Sequence, residues 1–99
     1  MTVREFLRKY PVSQSKWVRP HVICADGYTM SIQASDYHYC IPRKDNADDY
    51  EAVEVMVISS RDPKSLRPYS VGGVYAFVPI EMLERIVKRH GYIGAVKEK

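Results

Sequence analysis

The sequence lacks the features that would assign it at once to a membrane, secreted or familiar enzyme class. No apolar run approaches the roughly 20 residues that a membrane-spanning helix needs, and the charged residues 1–10 lack the apolar stretch of a signal peptide. No glycine-rich phosphate loop, nucleophile elbow or HExxH motif is present. We therefore expect a cytoplasmic protein with no membrane partner and no cofactor.

Cysteine and tryptophan are scarce, with two of the first and one of the second. In a reducing compartment Cys24 and Cys40 are expected to be free thiols. Cys40 is expected to be the more reactive, because it follows a polar segment, whereas Cys24 lies inside a predicted strand. Trp17 is predicted to pack at the edge of the core with its N–H in water. An exposed Trp17 would instead be a binding anchor.

Length and charge limit the classes of protein to which this chain could belong. A chain of 99 residues forms one domain, 1–99, with a modest core, and 45% apolar with 27% charged residues is a globular composition. The net charge of +3 is smaller than a protein built chiefly to coat nucleic acid usually carries. Charged patches, such as the acidic stretch 44–54, are the better expectation.

The two ends of the chain carry the helix signals. Thr2 and Glu5 form a capping box ahead of an apolar stripe that stops before Pro11. A second helix is predicted from Pro79 to His90, with Gly91 as its left-handed C-cap. Residues 95–99, beyond this helix, are expected to fray. The apolar stripes consist of Val3, Phe6, Leu7 and Tyr10 in the first helix and Ile80, Leu83, Ile86 and Val87 in the second.

Strand signals fill the middle of the chain. Asp26-Gly27 predicts a hairpin with a two-residue loop, which places Ile23 opposite Met30 on the core face. Alternation predicts a strand over 50–58, and another follows over 74–78. The sequence thus predicts an α+β domain in which an antiparallel sheet of about four strands carries an N-terminal and a C-terminal helix on one face.

Two segments stand out as candidates for function. Residues 59–73 form a predicted long loop, and such loops are usually functional or mobile; its Arg61, Lys64 and Arg67 are candidate binding residues. Residues 35–43 concentrate tyrosine, histidine, cysteine and arginine. If this stretch is extended, Tyr37 and Tyr39 lie on one side and His38 on the other.

Three kinds of chemistry fit the segment 35–43. Zinc could use His21, Cys24, His38 and Cys40, but the first two point to opposite faces of a strand. A nucleophilic Cys40 beside His38 would need a lowered pKa and an oxyanion hole, and no accompanying element supplies one. A buried cysteine beside a hydrogen-bonded histidine is the favoured interpretation, so no metal or catalytic residue is predicted.

Recognition is the third kind of chemistry. Tyr37, His38, Tyr39 and Arg43 together would stack on a base and hold a phosphate, or anchor a protein partner. The structural alternative is that the two tyrosines cap the end of the sheet. We favour recognition for this segment over metal binding or catalysis.

Several stretches of the sequence also suggest a relationship. DGYTMSIQAS at residues 26–35, YHYC at 37–40, YEAVEV at 50–55 and VPIE at 78–81 carry it. With Pro42-Arg43 and His90-Gly91, they resemble small proteins without an assigned activity from phages and prophages of Gram-positive bacteria. The resemblance implies an accessory protein that binds and blocks a host defence component, and it supplies no catalytic residues.

The sequence therefore predicts a small non-enzymatic binding protein, phage-derived, that occupies a host protein or a nucleotide signal. A nucleic-acid-binding accessory protein is the first alternative, using the basic loop and the tyrosines. A zinc- or thiol-dependent activity at His38 and Cys40 is the second.

Overall fold

The computed structural model describes residues 1–59 and 61–98, within which two α-helices and six strands follow one another. A 3-10 helix, Lys64–Tyr69, lies between the third and fourth strands. In chain order the elements are α1 (Val3–Lys9), β1 (His21–Cys24), β2 (Thr29–Gln33), β3 (Ala52–Val57), β4 (Ser70–Val71), β5 (Val74–Pro79), α2 (Ile80–Arg89) and β6 (Ile93–Lys97). The predicted α+β class, with helices near both ends, is confirmed.

All strands of the described chain join one antiparallel sheet in the order β4-β5-β3-β2-β1-β6. The sheet has six strands, so the prediction of about four was too low. One addition is β6, which pairs with β1 and places Lys97 opposite His21. The expectation that residues 95–99 fray was wrong for 95–97, while Lys99 lies outside the described residues. Gly94 and Ala95 carry little intrinsic strand preference, so pairing with β1 rather than local propensity forms this strand.

The other addition lies in the segment 59–73, which was predicted to be a long loop without secondary structure. Apart from Ser60, which lies outside the described residues, this segment contains the 3-10 helix and the two-residue strand β4. Leu66, inside the 3-10 helix, is buried in the main core. The buried Leu66 and the partly buried Tyr69 therefore attach to the core a segment whose composition otherwise indicates a solvated loop.

Both helices form where the sequence predicts them. The Thr2 hydroxyl accepts from the Glu5 N–H at 3.1 Å, and the Glu5 carboxylate accepts from the Thr2 N–H at 2.8 Å, which completes the capping box. Helix α2 starts at Ile80, one residue later than predicted, because Pro79 still belongs to β5. Gly91 follows α2 with φ of +86°, a left-handed conformation that favours glycine.

The hairpin between β1 and β2 differs from the prediction by one residue. Val22, not Ile23, lies opposite Met30. The loop has three residues, 25–27: the Gly27 N–H donates to the Cys24 carbonyl at 2.9 Å, and Gly27 is left-handed with φ of +93°. Because side chains alternate along a strand, the one-residue shift exchanges the two faces of β1. Val22 and Cys24 therefore face the core instead of His21 and Ile23.

His90, the residue that follows α2, contacts the hairpin between β1 and β2. The His90 Nδ1 lies 2.6 Å from the Asp26 carboxylate, and the His90 ring stacks on Tyr28 with centroids 3.9 Å apart. The hydrogen bond with His90 lowers the pKa of Asp26. The Asp26 side chain also accepts from the Tyr28 N–H at 3.0 Å, which favours the longer turn.

One apolar core joins the helices to the inner face of the sheet. Glu84 of α2 reinforces the contact by accepting from the Val3 N–H at 2.7 Å, at the start of α1. Among the helices of the described chain, none has the length and apolar character that crossing a membrane requires. Central members of the core are Val3, Phe6, Val22, Met30, Ile32, Val53, Val55, Val78, Leu83 and Val87.

Candidate functional site

The residues that follow β2, 35–45, form a loop with a buried polar interior, which we call the aromatic loop. The Ser35 Oγ lies 2.6 Å from the His38 Nδ1 and accepts from the Tyr37 N–H at 3.0 Å. The Cys40 thiol donates to the Ser35 carbonyl at 3.1 Å. Ser35, His38 and Cys40 are all buried, so a hydrogen-bonded cluster fixes the inside of the loop.

The residues between these buried ones point outward. Tyr37 is 71% exposed and Tyr39 38% exposed, whereas His38 between them is 6% exposed. The prediction of two tyrosines on one side was made for an extended stretch, whereas residues 36–39 form turns and bends. Both tyrosines are exposed and His38 is buried, but Tyr37 contacts Trp17 while Tyr39 contacts Phe77. Tyr37 is too exposed to cap the end of the sheet, which was the structural alternative for it.

Trp17 joins the aromatic loop from the preceding segment. Its ring stacks on His38, with centroids 5.7 Å apart and planes 23° apart, and meets Tyr37 edge-on at 5.9 Å. Trp17 is 51% exposed, so the predicted packing at the core edge is wrong. Instead, one face of the ring rests on a buried histidine while a large part of the residue faces solvent.

A groove of about 530 Å³ opens beside these rings. The Asp36 N–H donates to the Asp45 carboxylate at 3.0 Å, which ties two of its walls together. The volume lies within the range of small-molecule and side-chain binding pockets, about 300–1,000 Å³. The groove is lined by Ser13, Gln14, Trp17, Asp36, Tyr37 and Asp45.

The segment that supplies Trp17 is held by two polar contacts that the sequence analysis missed. The Asn46 side chain accepts from the Val12 N–H and donates to the Val12 carbonyl, both at 2.9 Å. Arg19 is buried: its N–H donates to Gln33 at 2.8 Å and its guanidinium donates to the backbone carbonyls of Ala34 and Leu7. Burial lowers the pKa of Arg19. Nothing in one sequence distinguishes this arginine from the exposed ones.

On the other side of the aromatic loop, Arg43 lies over Tyr39. The guanidinium carbon is 5.3 Å from the ring centroid, and Arg43 Nε donates to the Asp36 carbonyl at 3.2 Å. Tyr39 in turn contacts Phe77, with centroids 5.7 Å apart. Phe77 has a positive φ of +55°, rare for a bulky residue, and is exposed. The predicted association of Arg43 with a tyrosine ring is present.

The other three predicted binding residues, Arg61, Lys64 and Arg67, lie elsewhere. All three are exposed, in the segment 61–69 that we call the basic loop. This segment follows the Val57 end of β3, whereas the aromatic loop adjoins the Ala52 end. Five steps of about 3.3 Å between the six residues of β3 separate those ends by about 17 Å. The structure therefore does not bring the two sets of predicted residues together.

The arrangement of His38 and Cys40 bears on the zinc and thiol hypothesis. The His38 Nδ1 and the Cys40 thiol are both engaged in hydrogen bonds within the loop. Burial raises the pKa of the Cys40 thiol, which reduces the thiolate that a nucleophile or zinc ligand needs. In the part of the chain that the structure describes, no three His, Cys, Asp or Glu side chains are grouped to hold a metal ion.

The aromatic loop is thus a hydrogen-bonded base on which Trp17 rests, with Trp17 and Tyr37 beside an acidic groove. A fold alone does not determine function, which depends on the residues of the site. Comparisons with protein-family models, with curated proteins and with solved structures find no match to this chain.

Proposed function

We propose that this is a small non-enzymatic binding protein that recognises a protein partner through the aromatic loop and Trp17. The observation that carries the proposal is the pair of large aromatic residues, 51% and 71% exposed, at the edge of a groove. Tryptophan and tyrosine dominate the binding energy of many protein interfaces. Exposed rings of this size in a free protein leave apolar surface for a partner to cover.

The anchoring of the rings supports the same proposal. Trp17 rests on His38, and His38 is held by Ser35 in the buried base of the loop. A ring already held in place loses little conformational freedom when a partner binds, so more of the contact energy appears as affinity. The site is preorganised in this sense.

The charge of the groove favours a protein over a nucleotide signal as the partner. Asp36 and Asp45 would repel the phosphates of a nucleotide placed between them. The phage resemblance makes a bacterial host protein, such as a defence component, the partner to seek. Blocking would then follow from occupancy alone, without chemistry on the partner.

The test compares capture of host protein by the wild type and by surface variants. Bait protein is immobilised, exposed to lysate of a Gram-positive bacterium, and each captured protein is purified and titrated by calorimetry. We expect Trp17→Ala and Tyr37→Ala to weaken binding by about 30-fold or more each, the size of a hot-spot contact of about 2 kcal/mol. Tyr39→Ala and Arg43→Ala show how far the interface extends.

The matched control is Tyr92→Ala, which removes an exposed ring 41% accessible at the distant end of α2. It should leave binding unchanged, and all variants should melt within a few degrees of the wild type. Equal binding by wild type, Trp17→Ala and Tyr37→Ala would overturn the proposal.

A further inference from the structure

The groove beside Trp17 is acidic on a protein whose net charge is positive. Of its six lining side chains two are aspartates, two are aromatic and none is basic, whereas the chain carries +3 overall. The negative character is therefore local to the groove. A ligand for this groove has to satisfy carboxylates and ring faces at the same time.

The basic residues adjacent in sequence to the lining residues are mostly engaged outside the groove. Lys16 pairs with Glu98, with Nζ and Oε1 2.6 Å apart. Arg43 donates to the Asp36 backbone carbonyl, not to its carboxylate, and lies over Tyr39. Lys44 is exposed and makes no ion pair within the described chain. Neither aspartate of the groove has an ion-pair partner in that part of the chain.

The aromatic walls favour the same kind of ligand as the carboxylates. A cation over the face of tryptophan or tyrosine is attracted by the ring, most strongly by tryptophan. Trp17 and Tyr37 meet at 65°, so their faces are turned in different directions around the groove. A planar guanidinium can stack on a ring and pair with a carboxylate through two N–H groups, which an ammonium cannot do.

We infer that the groove receives an arginine side chain of the protein partner, stacked against Trp17 and paired with Asp36 or Asp45. This inference rests on the proposed function and adds the chemistry that the partner must present. Charge complementarity is its basis: two carboxylates without an ion-pair partner in the described chain and two exposed rings surround a space large enough for a guanidinium and its stem.

Trp17 provides a local probe, because it is the only tryptophan. Two blocked pentapeptides with a central arginine or a central citrulline, which has the same shape without the charge, are titrated while Trp17 emission is followed. We expect the arginine peptide to shift the emission saturably at millimolar concentration and the citrulline peptide to bind about tenfold more weakly. A lysine peptide should fall between them.

Variants of the groove complete the test. Asp36→Asn with Asp45→Asn removes both charges, while the side-chain amide introduced at position 45 keeps an oxygen for the Asp36 backbone N–H. This double variant should weaken the arginine peptide about tenfold. The matched control Glu51→Gln removes one exposed charge outside the groove lining and should change nothing. Equal binding of the two peptides, no binding of either, or an unaffected double variant would overturn the inference.

The two proposals fail in different ways. If the double aspartate variant still captures the host partner while Trp17→Ala does not, the binding function stands and the arginine is excluded. If the arginine peptide binds as expected but Trp17→Ala captures its partner normally, the groove chemistry stands and the proposed interface does not.

Discussion

The aromatic loop and the basic loop adjoin opposite ends of β3 and are fixed by different means. Three buried residues support the aromatic loop: the Ser35 hydroxyl pairs with the His38 ring and accepts from the Tyr37 N–H, and the Cys40 thiol donates to the Ser35 backbone carbonyl. The basic loop is attached to the core by the buried Leu66 and the partly buried Tyr69, and its Asp62 carboxylate accepts from the Tyr75 hydroxyl. A buried apolar side chain fixes the position of a segment. Hydrogen bonds are directional, so they also fix the orientation of its side chains. The buried hydrogen bonds of the aromatic loop lie directly beneath its exposed residues, so we expect that loop to orient its side chains more closely than the basic loop does.

The largest effect that tests this contrast is expected in the basic loop. Leu66→Ala leaves a cavity in the core and should cost about 2–5 kcal/mol of unfolding free energy. The control Arg67→Ala changes an exposed neighbour and should cost less than about 0.5 kcal/mol. Thermal melts measure both, and equal melting temperatures would mean that Leu66 does not anchor this loop.

The next largest effect is expected in thiol reactivity, which compares Cys40 in the aromatic loop with Cys24 at the end of β1. Burial raises the pKa of Cys24 to about 11, about two units above an ordinary thiol, so its thiolate fraction at a given pH is about a hundredfold lower. The pKa of Cys40 is also raised by burial, but hydrogen bonding from the backbone of the loop and the charge of Arg43 oppose the rise.

We therefore expect both native thiols to react slowly with a disulfide reagent at pH 8, faster as pH rises, and Cys40 before Cys24. In denaturant both should react at once. Single variants Cys24→Ala and Cys40→Ala assign the two rates. Rapid reaction of either thiol in the native protein would show that its surroundings open readily, and a reversed order would remove the distinction between them.

The smallest effect concerns the hydrogen bonds of the aromatic loop. Ser35→Ala leaves the Tyr37 N–H without this acceptor and His38 Nδ1 without this partner, and should cost about 1–3 kcal/mol. Trp17 emission should change as well, because the histidine beneath it loses its orientation. Ser65→Ala, an exposed serine in the 3-10 helix, is the matched control. A stable Ser35→Ala with unchanged emission would contradict the account of the loop.

Local signals in the sequence predicted what local physics determines. The capping box at Thr2, the left-handed Gly91 and the alternation around Val53 and Val55 were confirmed, because each depends on neighbours in the chain. The hairpin register was wrong since Asp26-Gly27 fits a two-residue and a three-residue loop equally well. Packing of Val22 and Cys24 in the core and the contacts of Asp26 with Tyr28 and His90 select the longer loop.

The candidate site was predicted only in part for the same reason. The exposed tyrosines and the buried His38 were expected from strand alternation, but turns and bends over 36–39 place them instead. Arg43 was expected near a ring and lies over Tyr39. The groove needed partners distant in sequence: Asn46 holding Val12, and Asp45 bonded to Asp36. The burial of Arg19 by carbonyls of Leu7 and Ala34 has no local signal.

The contacts of α1 and β6 bear on the order in which the domain assembles. The hydrogen bond between Glu84 and Val3 joins residues 81 positions apart in the chain. The paired strands β1 and β6 are separated by more than two-thirds of the chain. Closing such long loops is entropically costly and precedes the contacts that reward it, which slows folding. On a ribosome, α1 and β1 would emerge first yet stay without these partners until α2 and β6 had followed.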